Sequence, residues 1–165
     1  MKISRLLTVG LLVFSRFALA NAIDLEYLEN LEKWKSSEIV DYSVKQVRAC
    51  ECVIGMIPKL VSVKDGALDH ATVLEPVTKD MFFMPEEYGI DLAIGEEIVG
   101  PHLQTVSTID QLFDIISRAI TGDVAHYEVE YDERYGFPAR VVVDYYSDVE
   151  DEEFIITLYD FEPKT

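Results

Sequence analysis

Two cysteines separated by one residue, Cys50 and Cys52, are the sharpest chemical feature of the chain. On a regular strand, residues i and i+2 point the same way with Cα atoms about 6.5–7 Å apart. That is at or beyond the reach of a disulfide, so a bridge here needs a kink and stores strain. A strained bridge is more easily reduced than an ordinary one. The pair therefore reads as a local staple, as two small buried thiols, as a redox couple, or as metal ligands. Metal binding is the poorest fit, because zinc takes about four ligands and the sequence has no second Cys/His pair to supply them.

The remaining candidates are weaker. His70, His102 and His126 are scattered and sit in no nucleophile or metal motif. Asp148, Glu150, Asp151, Glu152 and Glu153 form an acidic run that lacks the alternating ligands and central glycine of a calcium loop; it reads as a charged hairpin turn. Tyr135 and Phe137, in Tyr135-Gly136-Phe137-Pro138, offer aromatic rings on a turn. These rings either form a recognition surface, together with Phe82 and Phe83, or fold back over the core. There is no phosphate-cradling glycine loop, dinucleotide fingerprint or nucleophile elbow. The residues thus predict no catalytic group, no cofactor and no metal, and a protein that is not an enzyme.

Charge narrows the choice of partner. The chain carries 31 acidic against 14 basic residues, a formal charge of −17. That excludes nucleic-acid binding, which relies on Lys and Arg neutralising phosphates. It also disfavours anionic membrane surfaces and favours a basic protein partner.

The first 20 residues read as a secretion signal: Lys2 and Arg5, an apolar run from Leu6 to Phe14, then the small-x-small pattern of Ala18-Leu19-Ala20. Cleavage is expected after Ala20, with Ala22 as the second choice. The apolar run is far short of the roughly 20 residues a membrane span needs, so no stable anchor is expected once the signal is removed. A periplasmic or secreted protein follows, in a compartment that permits disulfides. Residues 21–165 then form one domain.

Residues 24–35 read as a helix capped by Asp24, with Tyr27, Leu28, Leu31 and Trp34 on one face. Residues 40–54 read as a long kinked strand. Tyr42, Val44, Cys50, Cys52 and Ile54 share one parity, and Gln46 and Arg48 break it, as at a bulge or an open strand end. Lys59 to Val63 and Ala67 to Leu74 form strands around an Asp65-Gly66 hairpin turn. Residues 75–106, punctuated by Pro and Gly, read as an irregular insertion pinned by Met81, Phe82, Phe83 and Met84. Residues 109–121 read as a helix with a Thr108/Gln111 capping box, an apolar stripe of Ile109, Leu112, Phe113, Ile116 and Ile120, and Gly122 as a left-handed end. Three strands close the chain. Ala125, Tyr127, Val129 and Tyr131 point inward on the first, Val141, Val143 and Tyr145 on the second, and Phe154, Ile156 and Leu158 on the third. The order predicts an α+β fold of two helix-plus-three-strand units, with an antiparallel sheet and both helices on one face. The other face would carry His126, Glu128, Glu130, Arg140 and Asp144.

Several pieces hold their order along the chain: Trp34, Asp41-Tyr42-Ser43-Val44, Cys50-Glu51-Cys52, Val61-Ser62-Val63-Lys64-Asp65-Gly66, Thr108-Ile109-Asp110-Gln111-Leu112-Phe113, Tyr131 through Pro138, and Asp144. Together, over about residues 30–160, they resemble a family of exported bacterial proteins catalogued as domain of unknown function 6174. The resemblance implies an exported bacterial α+β protein and supplies no catalytic residues. Many members look like lipoproteins; this chain departs from them in having no cysteine at the cleavage site. The function expected from the sequence is a non-enzymatic binding or inhibitory module, with an envelope thiol, redox or metal protein acting through Cys50 and Cys52 as the alternative.

Overall fold

The computed structural model describes residues 25–50, 52, 54–81, 90–122, 124–146 and 153–164. The secretion signal, the Asp24 cap, Phe82, Phe83 and Met84, and Asp148 to Glu152 of the acidic run lie outside the described residues. A helix (α1) covers residues 25–36. Strands follow at Tyr42–Ala49 (β1), Lys59–Lys64 (β2) and Ala67–Val73 (β3). After the 75–106 segment come a helix at Ile109–Thr121 (α2) and strands at His126–Tyr131 (β4), Pro138–Asp144 (β5) and Phe154–Pro163 (β6). The strands form one antiparallel sheet in the order β3-β2-β1-β6-β5-β4, so the first and last strands pair at its centre. The fold is mixed α+β, as the pattern predicted.

Both helices cover the same face of the sheet. Trp34 of α1 sets its ring edge-on to Tyr42, Phe137 and Phe161, and its indole N–H donates to Asp110 of α2 at 3.1 Å. Phe113 of α2 stacks on Tyr131 and meets Tyr27 of α1 edge to face. Aromatic pairs at such angles add to the burial they accompany. The start of α2 is closely capped. Thr108 and Gln111 form the capping box, and the Tyr42 hydroxyl accepts from the Ile109 N–H at 2.8 Å. First-turn amides that a helix leaves unpaired are thereby satisfied.

Several details differ from the sequence reading. Strand β1 stops at Ala49, and bends and turns follow at residues 50, 52 and 54–57. Gln46 does not mark an open strand end: it is 0 % exposed and faces the core. The irregularity in β1 lies earlier, between Ser43 and Lys45, where β6 carries an extra residue at Asp160 with φ 51°. That bulge reverses the parity of β6, so Phe161 joins the core face after Phe154, Ile156 and Leu158.

Leu28 is 54 % exposed, because α1 rests on the sheet through Tyr27, Leu31 and Trp34 alone. Tyr145 is exposed because β5 ends one residue before it. Gly122 has φ −90°, which is not left-handed; a Cβ there would stand 2.6 Å from the Arg118 carbonyl oxygen, so close approach is what selects glycine. Asp65 and Gly66, by contrast, have the positive φ values of 50° and 75° that the hairpin requires.

Met81 is 53 % exposed, and the other three residues of the expected knot lie outside the described residues. Among the described residues, the 75–106 segment is held by buried Val77, Leu92 and Ile98, with short bridges between Val77 and Leu92 and between Thr72 and Glu97. It includes a 3₁₀ helix at Gly100–Thr105 that leads into α2.

Candidate functional site

The loop that carries Cys50 and Cys52 is built from the end of β1. With the strand broken after Ala49, the two Cα atoms approach to 5.3 Å and the cysteines are paired as a disulfide. This separation lies within the ordinary range for such a bond. The Cys52 N–H donates to the Cys50 carbonyl at 2.7 Å, and the Gly55 N–H donates to the Cys52 carbonyl at 3.1 Å. The Gly55 carbonyl in turn accepts from the Arg48 N–H at 3.0 Å. Gly55 lies directly under the sulfurs: a Cβ there would stand 2.7 Å from Cys50 Sγ and collide with Cys52 Sγ.

Two cations support this loop. Lys59 is 0 % exposed, on the core side of β2 opposite Gln46. Its ammonium donates to the carbonyls of Gly55 and Ile57, each at 2.8 Å. Burial, and secondarily the charge of Arg48, pull its pKa down to about 8. Arg48 lies over the Phe154 ring at 4.6 Å and donates through Nη1 to the Gln104 carbonyl at 2.9 Å. Its Nε is buried and has no acceptor among the described residues, and burial lowers its pKa as well. Among the described residues neither cation forms an ion pair with a carboxylate. Arg48, Cys50, Cys52, Gln104 and Thr105 line a small concavity of about 180 Å³. Among the described residues that line it, Arg48 is the one charged side chain, and the disulfide forms part of the wall.

A second surface is the sheet face away from the helices. Its centre is apolar, formed by half-buried Val47, Leu60, Val142 and Ile155. Ion pairs flank it: Lys45 with Asp160 at 2.8 Å, and Arg140 with Glu130 and Glu128 at 3.4 and 3.6 Å. His126, Glu128 and Glu130 are exposed along β4, the edge strand. On the helix side, a groove of about 190 Å³ opens beside β4 between Tyr27, Ile120 and Tyr131, and burial raises the Tyr131 pKa.

The sequence-derived candidates separate. Phe137 is 4 % exposed and belongs to the core. Tyr135 is half-buried against Phe161 with Arg134 over its ring at 4.9 Å. Asp132 closes their turn, its carboxylate accepting the N–H groups of Arg134 and Tyr135 at 3.0 and 2.6 Å. The rings therefore fold back, and Phe137 offers no recognition surface. His70 contacts Asp69 at 2.9 Å on β3. Among the described residues no three His, Cys, Asp or Glu side chains converge as metal ligands would. Arg48 was read from the sequence only as a break in the strand alternation, and Gly55 and Lys59 were not read as site residues, although Lys59 shares the inward parity of Val61 and Val63. A lysine in register with core valines was the available signal.

No curated protein and no solved structure matches the chain. A family model described as "Family of unknown function (DUF6174)" matches residues 26–163, which span both helices, the whole sheet and the cysteine loop. Over that range the chain belongs to the DUF6174 family of unknown function.

Proposed function

We propose that the protein is an exported, non-enzymatic binding module that docks a basic protein partner on the open face of its sheet. The observation that carries this reading is the composition of that face. A one-sided antiparallel sheet ordinarily turns polar residues to water. Here the centre holds Val47, Leu60, Val142 and Ile155. Apolar residues grouped on a surface and rimmed by charge mark protein interaction sites. The rim supplies Glu128, Glu130, Asp144, Asp160 and Glu162, and the chain carries −17 overall. A basic partner would be steered to such a surface quickly and with strong salt dependence.

The experiment is photo-crosslinking from Val142 in the exported protein, compared with crosslinking from Glu32 on the exposed side of α1. The expected result is one basic partner captured from Val142 only, weakened by salt and lost when Ile155→Glu is added. Equal capture from both positions, or binding indifferent to Ile155→Glu, would sink the reading.

A further inference from the structure

We propose that Cys50 and Cys52 form a thiol–disulfide exchange site that accepts electrons from a protein dithiol, with Arg48 and Lys59 holding the negative charge of its reduced form. The proposal does not rest on partner docking at the sheet face.

Buried cations are costly unless something negative or strongly accepting compensates them. Lys59 is wholly buried, with two carbonyls as its acceptors. Arg48 has a buried Nε with no acceptor among the described residues. Both belong to the scaffold of the cysteine loop, and Arg48 lines the same concavity as the two cysteines. With the disulfide closed, the site contains no anion among the described side chains. On reduction, a thiolate appears in the concavity that Arg48 lines, on the loop whose Gly55 and Ile57 carbonyls Lys59 holds. Nearby Lys or Arg lowers a thiol pKa, and a disulfide whose reduced form is stabilised this way is a stronger oxidant.

The geometry also distinguishes the two sulfurs. Cys50 Sγ lies 3.6 Å from the Arg48 carbonyl oxygen. That oxygen would accept an S–H and repel a thiolate, so Cys50 keeps the proton and Cys52 carries the charge. A thiolate of the partner attacks Cys50 Sγ, forming a mixed disulfide and expelling Cys52 as a thiolate. The second partner thiolate then attacks the partner sulfur of that mixed bond and releases Cys50. The partner dithiol loses two electrons and two protons and becomes a disulfide. The two electrons pass to Cys50 and Cys52; one proton stays on Cys50 and the other goes to solvent.

The test equilibrates the full chain with glutathione buffers of graded potential, traps free thiols by alkylation and counts them by mass. Wild type is expected to take two labels in moderately reducing buffer. Arg48→Gln is expected to lower the equilibrium constant for reduction about tenfold, the effect of one unit in thiolate pKa. Lys59→Met should act in the same direction; if it does not fold, Arg48→Gln alone decides. A pair that stays closed in the most reducing buffer would mark a structural staple and overturn the proposal, as would an Arg48→Gln constant within about twofold of wild type. The roles of the sulfurs are read from single variants: Cys52 in Cys50→Ser should alkylate faster than Cys50 in Cys52→Ser, and equal or reversed rates would refute that assignment.

Discussion

Gln46 holds Ser107 with both ends of its amide: Nε2 donates to the Ser107 carbonyl and Oε1 accepts the Ser107 N–H, each at 3.0 Å. This pair joins the middle of β1 to the segment that delivers α2. Gln46→Leu keeps the volume but leaves both Ser107 groups buried without partners. Each orphan costs about 1–3 kcal/mol, so a loss of roughly 2–4 kcal/mol is expected in urea unfolding. A change under about 0.5 kcal/mol would mean that water replaces the amide.

Tyr42→Phe removes the acceptor for the Ile109 N–H at the buried start of α2. A loss of about 1–3 kcal/mol is expected. Thr108→Ala, which opens the capping box, should cost about 1 kcal/mol. Both are measured by chemical denaturation; if Thr108→Ala proves the more damaging, the tyrosine is not the principal cap.

Lys59 titrates in the folded chain at about 8, against 10.5 in its unperturbed state. Between those values the unfolded chain binds more protons than the folded one. The penalty for burying the ammonium is therefore present below pH 8 and is relieved as pH rises toward 10. Tyr42 and Tyr131 act in the opposite sense above about pH 10, because burial raises both pKa values and the unfolded chain loses those protons first. The stability difference between wild type and Lys59→Met should thus shift in favour of wild type from pH 7 to pH 10. A pH-independent difference would show that Lys59 is charged equally in both states.

Gly55→Ala places a methyl group against both cysteine sulfurs. Overpacking of this kind costs about 1–3 kcal/mol. The variant is expected to unfold at lower denaturant and, equilibrated in glutathione buffers, to yield alkylatable thiols at a milder reducing potential than wild type. A closed disulfide at wild-type stability would require the loop to have moved elsewhere.

The elements and their inward faces were legible in the sequence because they follow from local rules. Alternation sets the strands, Asp65-Gly66 sets the hairpin, and Thr108 with Gln111 sets the start of α2. The helix stripe was read almost entirely, since a 3.6-residue period does not depend on what covers it. The charge that argues for a basic partner is likewise a property of composition alone.

Other features depended on residues distant in the chain. Gln46 broke the alternation and looked like an open strand end, yet its partner is Ser107, 61 residues away. No local pattern reveals a hydrogen bond of that span. Phe161 reached the core only through the bulge at Asp160, which exists because β6 pairs with β1. The aromatic turn at Tyr135 could face water or the core in sequence, and Trp34 and Phe161 decided for the core. The sequence determined by itself that two cysteines stand one residue apart, and it placed them on a strand that the structure ends at Ala49. Only the tertiary structure placed Arg48 and Lys59 with them, because burial and charge proximity are set by which strands and loops meet.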